Sequence, residues 1–206
     1  MNDLLKMANN GLDPQADLKL TGNLYSRFYQ SAIDYFTSAG YQLNKDLFIF
    51  PYDWRKDISL TPPLLDQKID QIKTQTGSQK VDIVAHSLGG LVARNYINDS
   101  IKANKVRKLI LLGTPQFGSV KFIKQLMYGD CLAYPIGPFC ATLAPSETKD
   151  VIQNMISAYE LAPSQKYYDF YNGSNNNHPL PFVDNRDIDN NGVTGFLNYD
   201  QIKTML

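Results

Sequence analysis

Apolar and polar positions follow two rhythms along this chain, and the rhythm changes past residue 120 or so. Leu24, Tyr25, Phe28, Tyr29, Ala32, Ile33 and Phe36 recur at helical spacing, predicting a helix with one apolar stripe that Gly40 ends. Asp46 to Phe50 carries the continuous apolar run Leu47-Phe-Ile-Phe50, which suits a strand buried on both faces and stopped by Pro51. Thr61-Pro62 marks the next helix, with threonine as N-cap and proline in the first turn. Leu65, Ile69 and Ile72 give that helix its core face, and Gly77 closes it. A short buried strand follows over 80–85, then a helix over 88–99 carried by Leu91, Val92, Tyr96 and Ile97. Val106 to Leu112 reads as a third buried strand. Helix and strand in alternation build a parallel sheet with right-handed crossovers. Beyond about residue 120 the alternation stops, and the chain becomes helical and turn-like, rich in Tyr, Pro and Asn. The expected fold class is therefore α/β: a core over 1–119 with a partial parallel sheet and helices on both faces, then a helical cap or insertion over 120–206.

The junction between the second strand and its helix carries the candidate chemistry. It reads Ala85-His-Ser87-Leu-Gly-Gly90, a serine at a strand-to-helix switch with small residues two positions before and after it. A nucleophile elbow has this form, because its strained turn brings those neighbouring backbones close together. Ser87 is then the candidate nucleophile. The backbone N–H of Leu88, at the start of a helix, is a candidate oxyanion donor. An ordinary βα loop that happens to hold a serine is the alternative. His86 adjoins the serine, but an elbow turns adjacent side chains apart, so a packed or hydrogen-bonded structural histidine is expected there.

Composition narrows the partners rather than the chemistry. The chain has 206 residues, 20 basic and 20 acidic, giving a formal net charge of zero with neither sign clustered. That argues against nucleic acid as the main partner. No apolar run approaches the length of a bilayer. No motif calls for a cofactor, and Cys131 and Cys140 lack the further Cys or His neighbours that a metal site needs. The two cysteines form either a short disulfide loop in an exported protein or two unrelated thiols. Pro135, Gly137 and Pro138 between them favour the disulfide, and with it an exported or extracellular location.

Three motifs agree in identity, order and spacing with one family. Phe50-Pro-Tyr-Asp-Trp-Arg55, Ala85-His-Ser-Leu-Gly-Gly90 and Leu112-Gly-Thr-Pro-Gln-Phe-Gly-Ser119 resemble the lecithin:cholesterol acyltransferase and lysosomal phospholipase family of α/β-hydrolases. Leu161-Ala-Pro-Ser-Gln-Lys-Tyr-Tyr168 is similar to the cap region of bacterial members. The resemblance covers residues 24 to 170 or so. It implies the α/β-hydrolase fold and serine-dependent acyl-ester hydrolysis or O-acyl transfer on lipids, with no cofactor. Peripheral membrane contact through the cap is a further implication. Ser87 corresponds to the nucleophile and the Leu88 N–H to an oxyanion donor. Asp53, Trp54 and Arg55 correspond to the motif at a strand end beside the site, where bracing the loop is favoured over direct substrate contact.

The remaining triad members are not legible. A serine nucleophile needs a base, and the base an orienting carboxylate, in the order serine, acid, histidine. His178 is the single histidine after Ser87, and it stands in a polar loop with no preceding strand to carry the acid. It is not expected to be the base, and Asp169 stands too near it in sequence to serve as the acid. No Gly-Asp-Gly-Thr-type turn follows, and no apolar strand with a glycine-containing oxyanion loop precedes residue 20. The chain therefore reads as the middle of a hydrolase whose flanking segments are its missing partners. A non-catalytic, partner-binding remnant and a general carboxylesterase are the rival readings. Asp187-x-Asp189-x-Asn191-Gly192 resembles the start of a calcium loop, but Asn198 stands at the twelfth position, so an Asx-rich turn is favoured.

Overall fold

The computed structural model describes residues 23–129 and 144–171, together with six short strands in antiparallel pairs. Those pairs are Met7–Ala8 with Asp13–Pro14, Pro135–Ile136 with Phe139–Cys140, and Val183–Asn185 with Gly195–Leu197. The chain divides into two compact units, Met1–Pro115 with Gln153–Ser157, and Gln116–Ile152 with Ala158–Leu206.

In the first unit, helix α1 spans Asn23–Ser38. Its end is closed by Gly40, whose φ of 99° lets the Tyr41 N–H turn back to the Phe36 carbonyl at 3.1 Å. Ile33 of the expected stripe is buried, whereas Tyr29 remains exposed. Helix α2, Pro62–Thr76, begins at the predicted proline. Thr61 does not act as expected: it has helical φ and ψ, and its hydroxyl makes no cap bond. The capping side chain is Asp57, which accepts from the Ser59 N–H at 2.7 Å and starts the 3-10 turn Ile58–Leu60 leading into α2. Gly77, at a φ of 71°, ends α2 by donating its N–H to the Lys73 carbonyl.

Strand β1 (Val81–His86), helix α3 (Leu88–Ile97), the short helix α4 (Ser100–Ala103) and strand β2 (Val106–Leu112) follow. The two strands pair in parallel, from Asp82 opposite Lys108 to His86 opposite Leu112, with an irregularity at Val81. The strand expected over Asp46–Phe50 is corrected. Gln42–Leu47 folds into a tight turn in which the Gln42 carbonyl accepts the N–H groups of Lys45, Asp46 and Leu47. No ladder forms over 48–50, and among the described residues the parallel sheet has two strands. Helices cover one of its faces: Leu65, Ile69, Val92 and Tyr96 are buried there, with Ile83, Phe50, Tyr52 and Leu88 packed around them. The opposite face, also expected to be covered, leaves Val84, Ile110 and Leu112 exposed.

The second unit contains α5 (Val120–Tyr128) and α6 (Pro145–Ile152), which bury Ile123, Leu126, Val151 and Ile152. Two motifs far apart in sequence are clasped together here. The Ser119 N–H donates to the Leu161 carbonyl at 2.8 Å, while the Ser164 N–H and hydroxyl both donate to the Phe117 carbonyl, at 2.8 and 3.0 Å. Gly118, at a φ of 96°, lies so close that a side-chain carbon would stand 2.5 Å from the Pro163 Cα. No helix among the described residues is long and apolar enough to cross a membrane.

Candidate active site

Ser87 stands where β1 gives way to α3. Its N–H donates to the Leu112 carbonyl at 2.9 Å, so it is still held by the sheet. Its own backbone then reverses, with φ at 53° and ψ at −128°. Among the described non-glycine residues only Asn44 shares a positive φ, and Asn tolerates it far better than serine does. This conformation costs of order 1–3 kcal/mol and persists only when its surroundings enforce it. Here the ladder bond before the turn and the helix after it do so, and the Ser87 carbonyl accepts the Gly90 N–H at 3.0 Å. The side chain caps nothing. The hydroxyl is therefore lifted off the strand end at the first turn of α3, where the Leu88 N–H has no intrahelical acceptor.

The tightest approach at the elbow falls on Gly90 and not on Gly89. A side-chain carbon on Gly89 would meet only the Tyr52 hydroxyl at 3.6 Å, an ordinary contact, whereas on Gly90 it would stand 2.6 Å from Thr114 Cγ2 and 2.7 Å from Thr114 Cβ. Gly90 lets α3 sit directly on the segment after β2, which is why Leu112-Gly-Thr-Pro accompanies the elbow. The Thr114 hydroxyl is buried there with no hydrogen-bond partner among the described residues.

The Pro51–Arg55 segment lies beside the same turn. Arg55 is fully buried, and the Asp53 carboxylate accepts from its N–H at 3.1 Å, Nε at 2.8 Å and Nη2 at 2.7 Å. Burial alone would raise the Asp53 carboxyl, but the Arg55 hydrogen bonds and charge outweigh it and hold the group below its ordinary value of 3.8. The Arg55 carbonyl in turn accepts from the Ser157 N–H at 3.5 Å. Trp54 is half-buried in this loop. Tyr52 stacks on Phe50, with ring centres 6.1 Å apart and planes 20° from parallel.

His86 takes another direction. It is exposed, and its Nδ1 shares a 3.1 Å hydrogen bond with the Tyr29 hydroxyl of α1, the rings meeting edge to face. Nothing in the sequence pattern links Tyr29 to His86, 57 residues away. No His, Asp or Glu side chain among the described residues is hydrogen-bonded to the Ser87 hydroxyl. His178, Cys131, the Cys140 side chain and the Asp187–Gly192 stretch lie outside the described residues, as does Asn198. The assembled groups can present a serine hydroxyl and a helix N-terminal N–H to one acyl carbonyl.

The chain is also similar in sequence to known proteins. The family model of lecithin:cholesterol acyltransferase matches residues 8–185. Phospholipase A(1) LCAT3 of Arabidopsis thaliana is 30% identical over 112 residues, covering 52% of this chain and 25% of that protein. Lecithin-cholesterol acyltransferase-like 4 of the same plant is 27% identical over 88 residues, 41% of this chain and 16% of the relative. An uncharacterized protein of Saccharomyces cerevisiae is 31% identical over 85 residues, 38% of this chain and 13% of its own length. The matched region thus spans a quarter or less of each of these relatives.

Proposed function

The chain belongs to the lecithin:cholesterol acyltransferase family, and from that premise we propose that it carries the nucleophile of an acyl transfer on lipids. In this reading it contributes the elbow portion of an α/β-hydrolase fold, with residues 120–206 as the cap. The Ser87 hydroxyl attacks the carbonyl carbon of an acyl ester, its proton passing to a base. The carbonyl electron pair moves onto oxygen, which the Leu88 N–H stabilises. Collapse expels the alcohol and leaves the acyl group on Ser87, to be passed to water or to an acceptor alcohol. Asp53 and Arg55 act by bracing the loop beside the elbow, and Trp54 fills it.

The observation that carries this reading is the Ser87 backbone, with φ at 53° between a parallel strand and a helix. A fluorophosphonate probe tests it. Covalent labelling of Ser87, abolished by Ser87→Ala, is the expected result; labelling that survives the substitution sinks the assignment. A second reading, a partner-binding module that keeps the elbow without turnover, draws support from the lack of a hydrogen-bonded base at Ser87 among the described residues. It predicts no hydrolysis of any acyl ester by the chain, whereas the first predicts turnover once the base is present.

A further inference from the structure

The chain enters its second unit at Gln116 and does not stay there. Gln153–Ser157 returns to the first unit, and Ala158 leads back to the second. Chain continuity therefore joins the two units at 115–116, at 152–153 and at 157–158. If the returning segment came away with the second unit, the junction at 115–116 alone would remain. The segment is seated on the Pro51–Arg55 loop. Ser157 is the second residue of the short helix α7 (Ile156–Glu160), so its N–H has no acceptor within that helix. The Arg55 carbonyl accepts it, at 3.5 Å. That carbonyl belongs to a residue already held in place, because the Asp53 carboxylate takes the Arg55 N–H, Nε and Nη2. The anchor is rigid, while the bond to it is long and weak.

We infer that Gln153–Ser157 is a detachable strap docked on the Arg55 carbonyl, whose release leaves the second unit tethered at one junction while the first stays folded. Its burial suits that role. Met155 and Ser157 are buried, but Gln153 and Asn154 are exposed. A segment with so few buried side chains opens at a lower cost than the core beneath it. Both of its ends remain attached to the chain, so the strap finds its anchor again as an intramolecular event. The Asp53–Arg55 fork then presents a backbone carbonyl to the strap as well as bracing its own loop. The strap goes beyond the reading of Ser87 as nucleophile and does not depend on it.

Amide hydrogen exchange of the full chain, read by mass spectrometry on peptides covering 153–160 and 88–97, tests the strap. Its amides should exchange about 10-fold or more faster than those of Val92–Tyr96, yet about 10-fold or more slower than in the free peptide of the same sequence. Urea below the unfolding midpoint should accelerate α3 more than the strap, because local release exposes less surface than global unfolding. Ser157→Pro deletes the donor and sets a ring carbon against the Arg55 carbonyl. Proline is tolerated at the second position of a helix, as Pro63 is in α2. In this variant the strap should rise to the free-peptide rate, about 10-fold or more, with α3 unchanged. Strap amides that exchange in step with α3 make the segment a fixed part of the core and overturn the inference. Exchange at the free-peptide rate in the unsubstituted chain shows that nothing is docked and overturns it too. Unchanged exchange in Ser157→Pro discards the Arg55 carbonyl as anchor. Should that variant lose α3 protection altogether, the rates and urea dependence of the unsubstituted chain decide alone.

Discussion

The two ends of helix α3 are built on opposite terms. At its C-terminal end polar side chains are tied into one network. The buried Tyr96 donates its hydroxyl to Asp66 Oδ1 at 2.8 Å, and Lys105 Nζ reaches Asp66 Oδ1 and Asp70 Oδ2, each at 2.8 Å. One network thereby ties α2, α3 and the entry to β2. At its N-terminal end Ser87 holds a strained φ and its hydroxyl caps nothing, and the Thr114 hydroxyl is buried without a hydrogen-bond partner among the described residues. The difference separates tasks along one helix of ten residues. The paired end positions the helix, and the other end keeps the Ser87 hydroxyl out of any cap bond, as the proposed nucleophile requires.

Ser87→Gly breaks this comparison most directly. Fluorophosphonate labelling should vanish, because the nucleophile is gone. Glycine accepts a positive φ without strain, so the fold should gain roughly 0.5–1 kcal/mol in urea denaturation. A loss of stability would show that the turn is not strained and that the contrast between the ends is false. Gly90→Ala is next in size. The added methyl meets Thr114 Cγ2 at 2.6 Å and Thr114 Cβ at 2.7 Å before relaxation, and overpacking of this kind costs about 1–3 kcal/mol. Gly89→Ala, with 3.6 Å of room, should cost markedly less in the same titration. Equal costs would move the constraint from Thr114 to the backbone.

Much of the frame was legible from periodicity. The helices at 23–38, 62–76 and 88–97 and the strands at 81–86 and 106–112 all arise where apolar spacing and terminal Gly or Pro signals agree. The run Leu47–Phe50 misled because an apolar stretch reports burial and not a ladder partner. Phe50 does pack on the core, yet 48–50 pair with no strand. At the elbow the serine, the helix start and the small residues were readable. The sequence could not say which glycine is compressed, since that depends on Thr114, 24 positions after Gly90 and brought against it by the parallel pairing. Tyr29 against His86 is hidden for the same reason.

Tyr96→Phe probes the satisfied end. It removes one donor to Asp66 while keeping the ring in the core, and should cost about 1 kcal/mol in urea denaturation, with labelling of Ser87 unchanged. A fall in labelling would mean that the two ends are coupled and the division of tasks fails.

Acid and salt distinguish the ends more finely. Asp53 and Asp66 both sit below their ordinary 3.8: burial opposes the shift in each, and it is overcome by Arg55 at Asp53, and by Lys105 and Tyr96 at Asp66. A depressed folded value means that protons bind the unfolded chain first. The stabilisation is therefore complete above about pH 5, declines as pH falls through the ordinary carboxylate range, and is gone below the folded values. The partners differ, however. Arg55 is fully buried, whereas the Lys105 side chain keeps 19% exposure and Asp66 27%. One molar salt contracts the screening length to about 3 Å, which reaches the Lys105 network and not the Arg55 fork. The stability lost by Lys105→Met should thus be no more than about 1 kcal/mol at low salt and shrink further at high salt, while acid unfolding driven by Asp53 persists. If high salt abolishes the whole acid dependence, the fork beside the elbow is as solvated as the network, and the two ends of the helix are not built differently after all.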